Sequence, residues 1–212
     1  MVHRVFWRSI AALTRGCLRS AAYHLNEMVG FPEQYHPLYS RGLLHFLWFL
    51  LKPIEGGLAL RLRHLVARGL FARCGKGVTL RPGVSIYDGR ALSIGDHVSI
   101  GNGSYIGGGP VNIGDNVRMA RYVVIETFDH HFNRLDIPIR LQDGQNKPVV
   151  IEEDVWIGVR VTICPGVRIG RGSVIGAGSV VTRNIPEYSV AAGVPARVIR
   201  SRSAQQDGKS PV

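Results

Sequence analysis

Between residues 151 and 186 the aliphatic positions recur every sixth residue: Ile151, Ile157, Ile163, Ile169, Ile175 and Val181. Gly158, Gly170 and Gly176 each follow one of them directly. An α-helix cannot use this spacing. A period near 3.6 would scatter the aliphatic column around the axis, and each interior Gly would cost about 1 kcal/mol. A period of six suits a coil of very short strands and tight corners. One aliphatic side chain per strand points inward, and Gly takes the strained corner backbone. Three strands close one triangular turn of about 18 residues, so the stretch supplies two turns.

The same count runs upstream. Leu80 and Ile86 are six apart, and Ile94, Ile100 and Ile106 resume after a two-residue excess near Arg90. Ile113, Met119 and Ile125 follow a one-residue slip. The pattern predicts an all-β coil over residues 77–200. Between 126 and 148 the repeat gives way to ETFDHHFNRLDIPIRLQDGQNKP. This stretch is polar, and insertions into repeat proteins form loops that often carry function. YSVAAGVPARVIR, after Pro186, reads as a short cap, and residues 201–212 read as a polar, disordered tail.

The first third follows another rule. Residues 1–28 read as an amphipathic helix, with Val5, Phe6, Ile10, Leu13 and Leu18 at helical spacing and Arg4, Arg8, Arg15 and Arg19 between them. Those arginines break the apolar core that a signal peptide needs. Residues 43–51, LLHFLWFLL, form an apolar run closed soon after by Pro53. A membrane span needs about 20 residues, so this is a buried or interfacial helix. Residues 58–71 predict a second amphipathic helix, with Arg61, Arg63, Arg68 and His64 among leucines. The domain plan is therefore a basic helical extension (1–76), the coil (77–200) and the tail.

Charge sharpens this picture. The chain of 212 residues carries a formal net charge of +11, and residues 1–76 hold eleven Arg and Lys against three Glu. An apolar, basic segment calls for an anionic partner, either a membrane surface or a phosphorylated substrate. Packing on the coil or on a neighbouring subunit is the competing reading for the first helix. No nucleic-acid motif accompanies the charge, so nucleic acid is not expected. Cys17, Cys74 and Cys164 are odd in number and widely spaced, as reduced cytosolic thiols are. The expected location is the cytoplasm, with peripheral contact at the inner face of the membrane.

These columns resemble the hexapeptide-repeat acyltransferases over roughly residues 77–200. The resemblance implies a left-handed parallel β-helix, a homotrimer, acetyl-CoA as acyl donor and a site in the groove between subunits. In the galactoside and maltose acetyltransferases that the region is similar to, a catalytic His lies in the inserted loop after the IGDNV repeat. IGDNV is Ile113 to Val117 here, which puts that role on His130. Taking the proton of a poorly nucleophilic hydroxyl suits histidine, which ordinarily titrates at about 6.5. His131, one residue on, is expected to face the other way.

The resemblance also implies that Trp156, in VWIG, lies near the thioester. Ala177, Thr182, Arg183, Arg197 and Arg200 would contact the cofactor, and backbone N–H groups near Trp156 and Gly158 would hold the oxyanion. The arginines suit phosphates through their fork geometry. Asn102, in IGNGS, takes the place of the active-site Asn. Tyr87 replaces a sugar-facing Ser, with Asp88 beside it. Gly108 and Gly109 stand about where a sugar-binding Asp would be, and Val159 replaces a Ser. Galactoside or maltose is therefore not implied as acceptor. The expected acceptor is a sugar hydroxyl of a cell-envelope polysaccharide. An amino-sugar N-acetyltransferase and a non-catalytic scaffold are the rivals. No metal is expected: a γ-class carbonic anhydrase site needs three suitably placed His, and His97, His130 and His131 lack the spaced pair.

Overall fold

The computed structural model describes residues 42–202. The expected helix over 1–28, and Cys17 with it, lie outside them. Contacts divide the chain into Met1–Phe49 and Leu50–Val212. In the first unit, the described residues belong to helix α1 (Gly42–Leu51), which exposes Leu43, Phe46 and Phe49 and buries Trp48. Among the described residues, no helix is long and apolar enough to cross a membrane.

The second unit is a parallel β-helix of about six turns. Its strands, mostly two or three residues long, stack into three faces. The hexad column becomes the interior. On one face Leu80, Ile100, Met119, Ile157 and Ile175 pair in register from turn to turn. On the second face Cys74, Ile94, Ile113, Ile151 and Ile169 do the same. On the third, Ile86, Ile106, Ile125, Ile163 and Val181 line up. A helix was excluded by period, and the physical alternative is visible here: a dry interior filled by one residue per strand.

Corners allow this only with special backbone. Gly101 is buried, and a Cβ there would come within 2.3 Å of the Ala120 carbonyl oxygen of the next turn. Elsewhere bulky residues accept positive φ, as at Tyr122 (60°) and Arg160 (55°).

The coil starts earlier than expected. Arg73–Cys74 already pairs with Ser93 and Ile94, ahead of Gly77, and Cys74, six residues before Leu80, takes the next inward place of the same count. Its far end also differs. Ser201 is no part of a disordered tail: it ends strand Ala196–Ser201, which folds back antiparallel on Ser189–Gly193 and pairs Ser201 with Ser189. That hairpin closes one edge of the sheet, where an open parallel edge would invite pairing with other chains. Residues 203–212 lie outside the described residues.

Helix α2 (Gly57–Leu70) packs on the first turn with Ala59, Arg63, Val66, Ala67 and Leu70. Arg63 is fully buried, with no ion pair among the described residues. Its guanidinium donates to the carbonyls of Leu80 (2.8 Å), Leu51 (2.7 Å) and Ile54 (2.6 Å). It therefore ties the helix to the coil, and loss of solvent draws its pKa down. Replacing Ile157, which is wholly buried in mid-column, by Ala leaves a cavity between stacked turns. The expected loss is about 2–5 kcal/mol, read by chemical denaturation.

Candidate active site

The coil is interrupted between Ile125 and Val149 without loss of stacking. The Glu126 N–H still donates to the Ile163 carbonyl (2.9 Å), and that of Val149 to Pro110 (3.0 Å). The inserted residues do not form the simple loop that their polarity predicts. Phe128–His130 pairs antiparallel with Gly144–Asn146, so His130 stands on a short hairpin whose base is anchored in the coil. Thr127 is wholly buried: its hydroxyl accepts from the Gly109 N–H (2.7 Å) and its carbonyl from the Lys147 N–H (2.7 Å). Lys147 also clasps Asp129 at 2.7 Å. The hydrogen bond and charge of Lys147 hold the Asp129 carboxyl below its ordinary range.

The two histidines part company here. His130 is exposed and meets the ring of Phe128, with centroids 4.8 Å apart and planes at 85°. His131 lines a cleft of about 350 Å³ with Asn133, Ile137, Leu141 and Asp143. Alternation along an extended segment produces this divergence.

The expected cofactor residues divide between two faces. Trp156 is exposed on the outer side of one face, with Arg118 and Val174 as cross-strand neighbours. Val174 pairs in turn with Val190, and Val190 with Arg200, so Trp156 and Arg200 share one row. Arg197 pairs with Ala192 on the same hairpin. Gly158 and Ala177 lie in close contact on successive turns: a Cβ on Gly158 would come within 2.6 Å of the Ala177 nitrogen. Thr182 and Arg183 follow strand Val180–Val181, exposed at the corner beyond. Asn102 stands one rung from Tyr122, whose N–H donates to its carbonyl (2.9 Å). The hairpin bearing His130 leaves the coil after strand Val124–Ile125, on the face that also carries Val180–Val181, so Thr182 and Arg183 follow the same face two turns on, while the Trp156 row lies on another face.

Three expectations change. The N–H groups of Trp156 and Gly158 donate to the carbonyls of Ser173 (3.0 Å) and Ile175 (2.8 Å). Both are committed to the ladder, so neither is free to hold an oxyanion. Asp88 is occupied by its own loop. It accepts the Arg90 N–H at 2.9 Å and grips that guanidinium with both oxygens at 3.0 Å. Tyr87 lies against Gly108, where a Cβ would meet its ring at 2.3 Å. A large residue at 87 thus requires a small one at 108.

Sequence reasoning missed Arg118, Arg121 and Arg160. Arg121 and Arg160 sit on successive rungs of the corner beside Gly158, joined by an N–H to carbonyl bond of 3.0 Å. None of the three forms an ion pair among the described residues. They occupy ordinary outward hexad positions and carry no spacing signal. Burial raises the Cys74 thiol to about 11 and raises that of Cys164 as well, so both behave as packing groups at neutral pH. Among the described residues no three His, Cys, Asp or Glu gather as a metal site would require.

Two family models match: bacterial transferase hexapeptide (six repeats) over residues 148–183, and hexapeptide repeat of succinyl-transferase over 91–120. A hexapeptide-repeat-containing acetyltransferase of Vibrio cholerae is 31% identical over 81% of this chain and 94% of its own, with a TM-score of 0.69. The chain belongs to the hexapeptide-repeat acetyltransferase family. A maltose O-acetyltransferase of Clostridium difficile is 32% identical over 80% of this chain and 89% of its own, with a TM-score of 0.70. The galactoside O-acetyltransferase of Escherichia coli is 47% identical over 95 residues, covering 42% of this chain and 43% of that protein. The chain spans less than half the length of the first curated relatives it matches. The V. cholerae acetyltransferase has been crystallised with acetyl-CoA.

The clasp at the hairpin base has a definite pH signature. Because Lys147 depresses the folded Asp129 pKa, its contribution is complete above the unfolded value of about 3.9 and vanishes as pH falls through the lower folded value. The Asp129 carboxyl carbon, followed by NMR, should titrate below that reference, and Lys147→Ala should move the midpoint back up.

Proposed function

We propose that this hexapeptide-repeat protein is an acetyl-CoA-dependent O-acyltransferase acting on a sugar hydroxyl, with His130 as general base. The observation that carries the reading is the anchored hairpin. It is the large interruption of the described coil, and it presents an exposed imidazole outside the interior, in a family with a relative crystallised with acetyl-CoA. Family register supports the role of His130.

When bound, acetyl-CoA supplies an activated acetyl carbonyl. Arg183, Arg197 and Arg200 are exposed cations suited to its phosphates, and exposed Ala177 offers a small side chain for a narrow chain to pass. Val159 offers no hydrogen bond there. His130 takes the proton of the acceptor hydroxyl as that oxygen bonds to the acetyl carbon. It then returns the proton to the departing thiolate, so the products are the ester and the free thiol. The oxyanion donors are groups other than the ladder-bound amides of Trp156 and Gly158. Since the His130 hairpin and the Trp156 row belong to different faces, a homotrimer completes the site by facing one copy's hairpin with another copy's Trp156 row.

The acceptor is a sugar in cell-envelope polysaccharide, reached at the cytoplasmic side of a membrane. Helix α2 supports this location. Its inner side packs on the coil, yet Leu58 (72% exposed), Leu62 (38%) and Leu65 (64%) form a second apolar face flanked by exposed Arg61 and Arg68. An apolar stripe edged by cations fits an anionic lipid surface.

His130→Ala should lower turnover at saturating donor by about 10²–10⁴-fold, with acetyl-CoA affinity and assembly mass little changed. His131→Ala should cost far less. Arg183→Ala should weaken acetyl-CoA binding, with a smaller loss once donor saturates. Steady-state kinetics against envelope sugar acceptors tests all three; normal turnover in both His variants would remove the general-base mechanism, and acetyl-CoA binding with no transfer by the unaltered protein would leave the scaffold reading.

Membrane contact is read separately. Full-length protein should sediment with phosphatidylglycerol vesicles and not with phosphatidylcholine ones. Leu58→Glu with Leu65→Glu should abolish that. If binding persists, another part of residues 1–76 is responsible. If the full-length protein ignores both vesicles at low salt, the location fails.

A further inference from the structure

We infer that Phe128 is a positioning residue for His130, and that Gly144 is the seat that lets it do so. The inference rests on His130 being the base. A catalytic base is commonly oriented by a third group hydrogen-bonded to it. No hydrogen bond reaches either imidazole nitrogen of His130 among the described residues; its recorded ring contact is with Phe128. An edge contact can fix the torsions of a ring and leave both nitrogens free to exchange a proton.

The hairpin is built around that contact. Phe128 and His130 are two residues apart on one strand and share a side. Opposite His130 stands Gly144. A Cβ at 144 would come within 2.2 Å of the Phe128 Cζ and 2.7 Å of the Asp129 carbonyl oxygen. The aromatic ring therefore lies across the space that any larger residue at 144 would occupy. Phe128 is 43% exposed and adds nothing to the aliphatic column, whose member on this strand run is Ile125. Core packing does not account for this ring, which stands outside the aliphatic column.

The ring also stands on fixed ground. Its neighbour Thr127 is buried and bonded to Gly109 and Lys147, and its other neighbour Asp129 is clasped by Lys147. Order thus passes from the coil to Thr127, to Phe128, and to the imidazole.

The test separates positioning from simple stability. Phe128→Leu should lower kcat by about 10–10²-fold, the scale of a misplaced catalytic group, and leave the acetyl-CoA KM within about twofold. Phe128→Tyr keeps the ring and should keep most of the turnover. Gly144→Ala should lower kcat alone but add little to Phe128→Leu, because both remove the same contact. In NMR the His130 ring protons should carry a ring-current shift that Phe128→Leu removes.

Wild-type kcat in a folded Phe128→Leu, beside a collapsed His130→Ala, overturns the inference and spares the base. Full turnover in His130→Ala overturns the base itself. Should Phe128→Leu fail to fold, Gly144→Ala decides: unchanged kcat with an unchanged ring shift overturns the positioning role.

Discussion

The constraint on which everything else depends is the parallel ladder. Each short strand must turn one aliphatic side chain inward and give its N–H groups to the turn beside it. Both demands are met every sixth residue, and together they use up the inside of the molecule. They also consume amides that look available in the sequence. Those of Trp156 and Gly158 are bound to Ser173 and Ile175. Chemistry is left with outward side chains, corners and whatever the coil lets out.

What it lets out is one clamped hairpin. The ladder closes beneath the insertion as though nothing had been added, so residues 126–148 can vary without disturbing the stack. Anchorage through buried Thr127 and the Asp129–Lys147 pair makes that excursion a support and not a loose loop. Its histidines are then sorted by strand alternation alone: one against an aromatic edge, the next into a cleft.

The same economy governs the coil's first end. Helix α2 must cover the opening turn, and Arg63 ties it there by donating to three carbonyls, those of Leu80, Leu51 and Ile54. That arginine, one of the cations giving this part of the chain its charge, is therefore structural. The charge that remains at the surface, on Arg61 and Arg68, borders leucines.

The sequence by itself determined the coil, because a period of six is a one-dimensional trace of a one-dimensional stack: each rung contacts only its neighbours. Helices Gly42–Leu51 and Gly57–Leu70 were legible within a residue at each end from an apolar run and from helical spacing, both local signals. The place of His130 within the interruption was legible too, and its proposed role rests on family register. Tertiary structure decided what pairing across turns decides. Asp88 is spent on Arg90, and Tyr87 demands Gly108. Arg121 and Arg160, far apart in sequence, become adjacent cations at one corner. None of these carries a spacing signal, since each depends on which residue a later turn sets alongside.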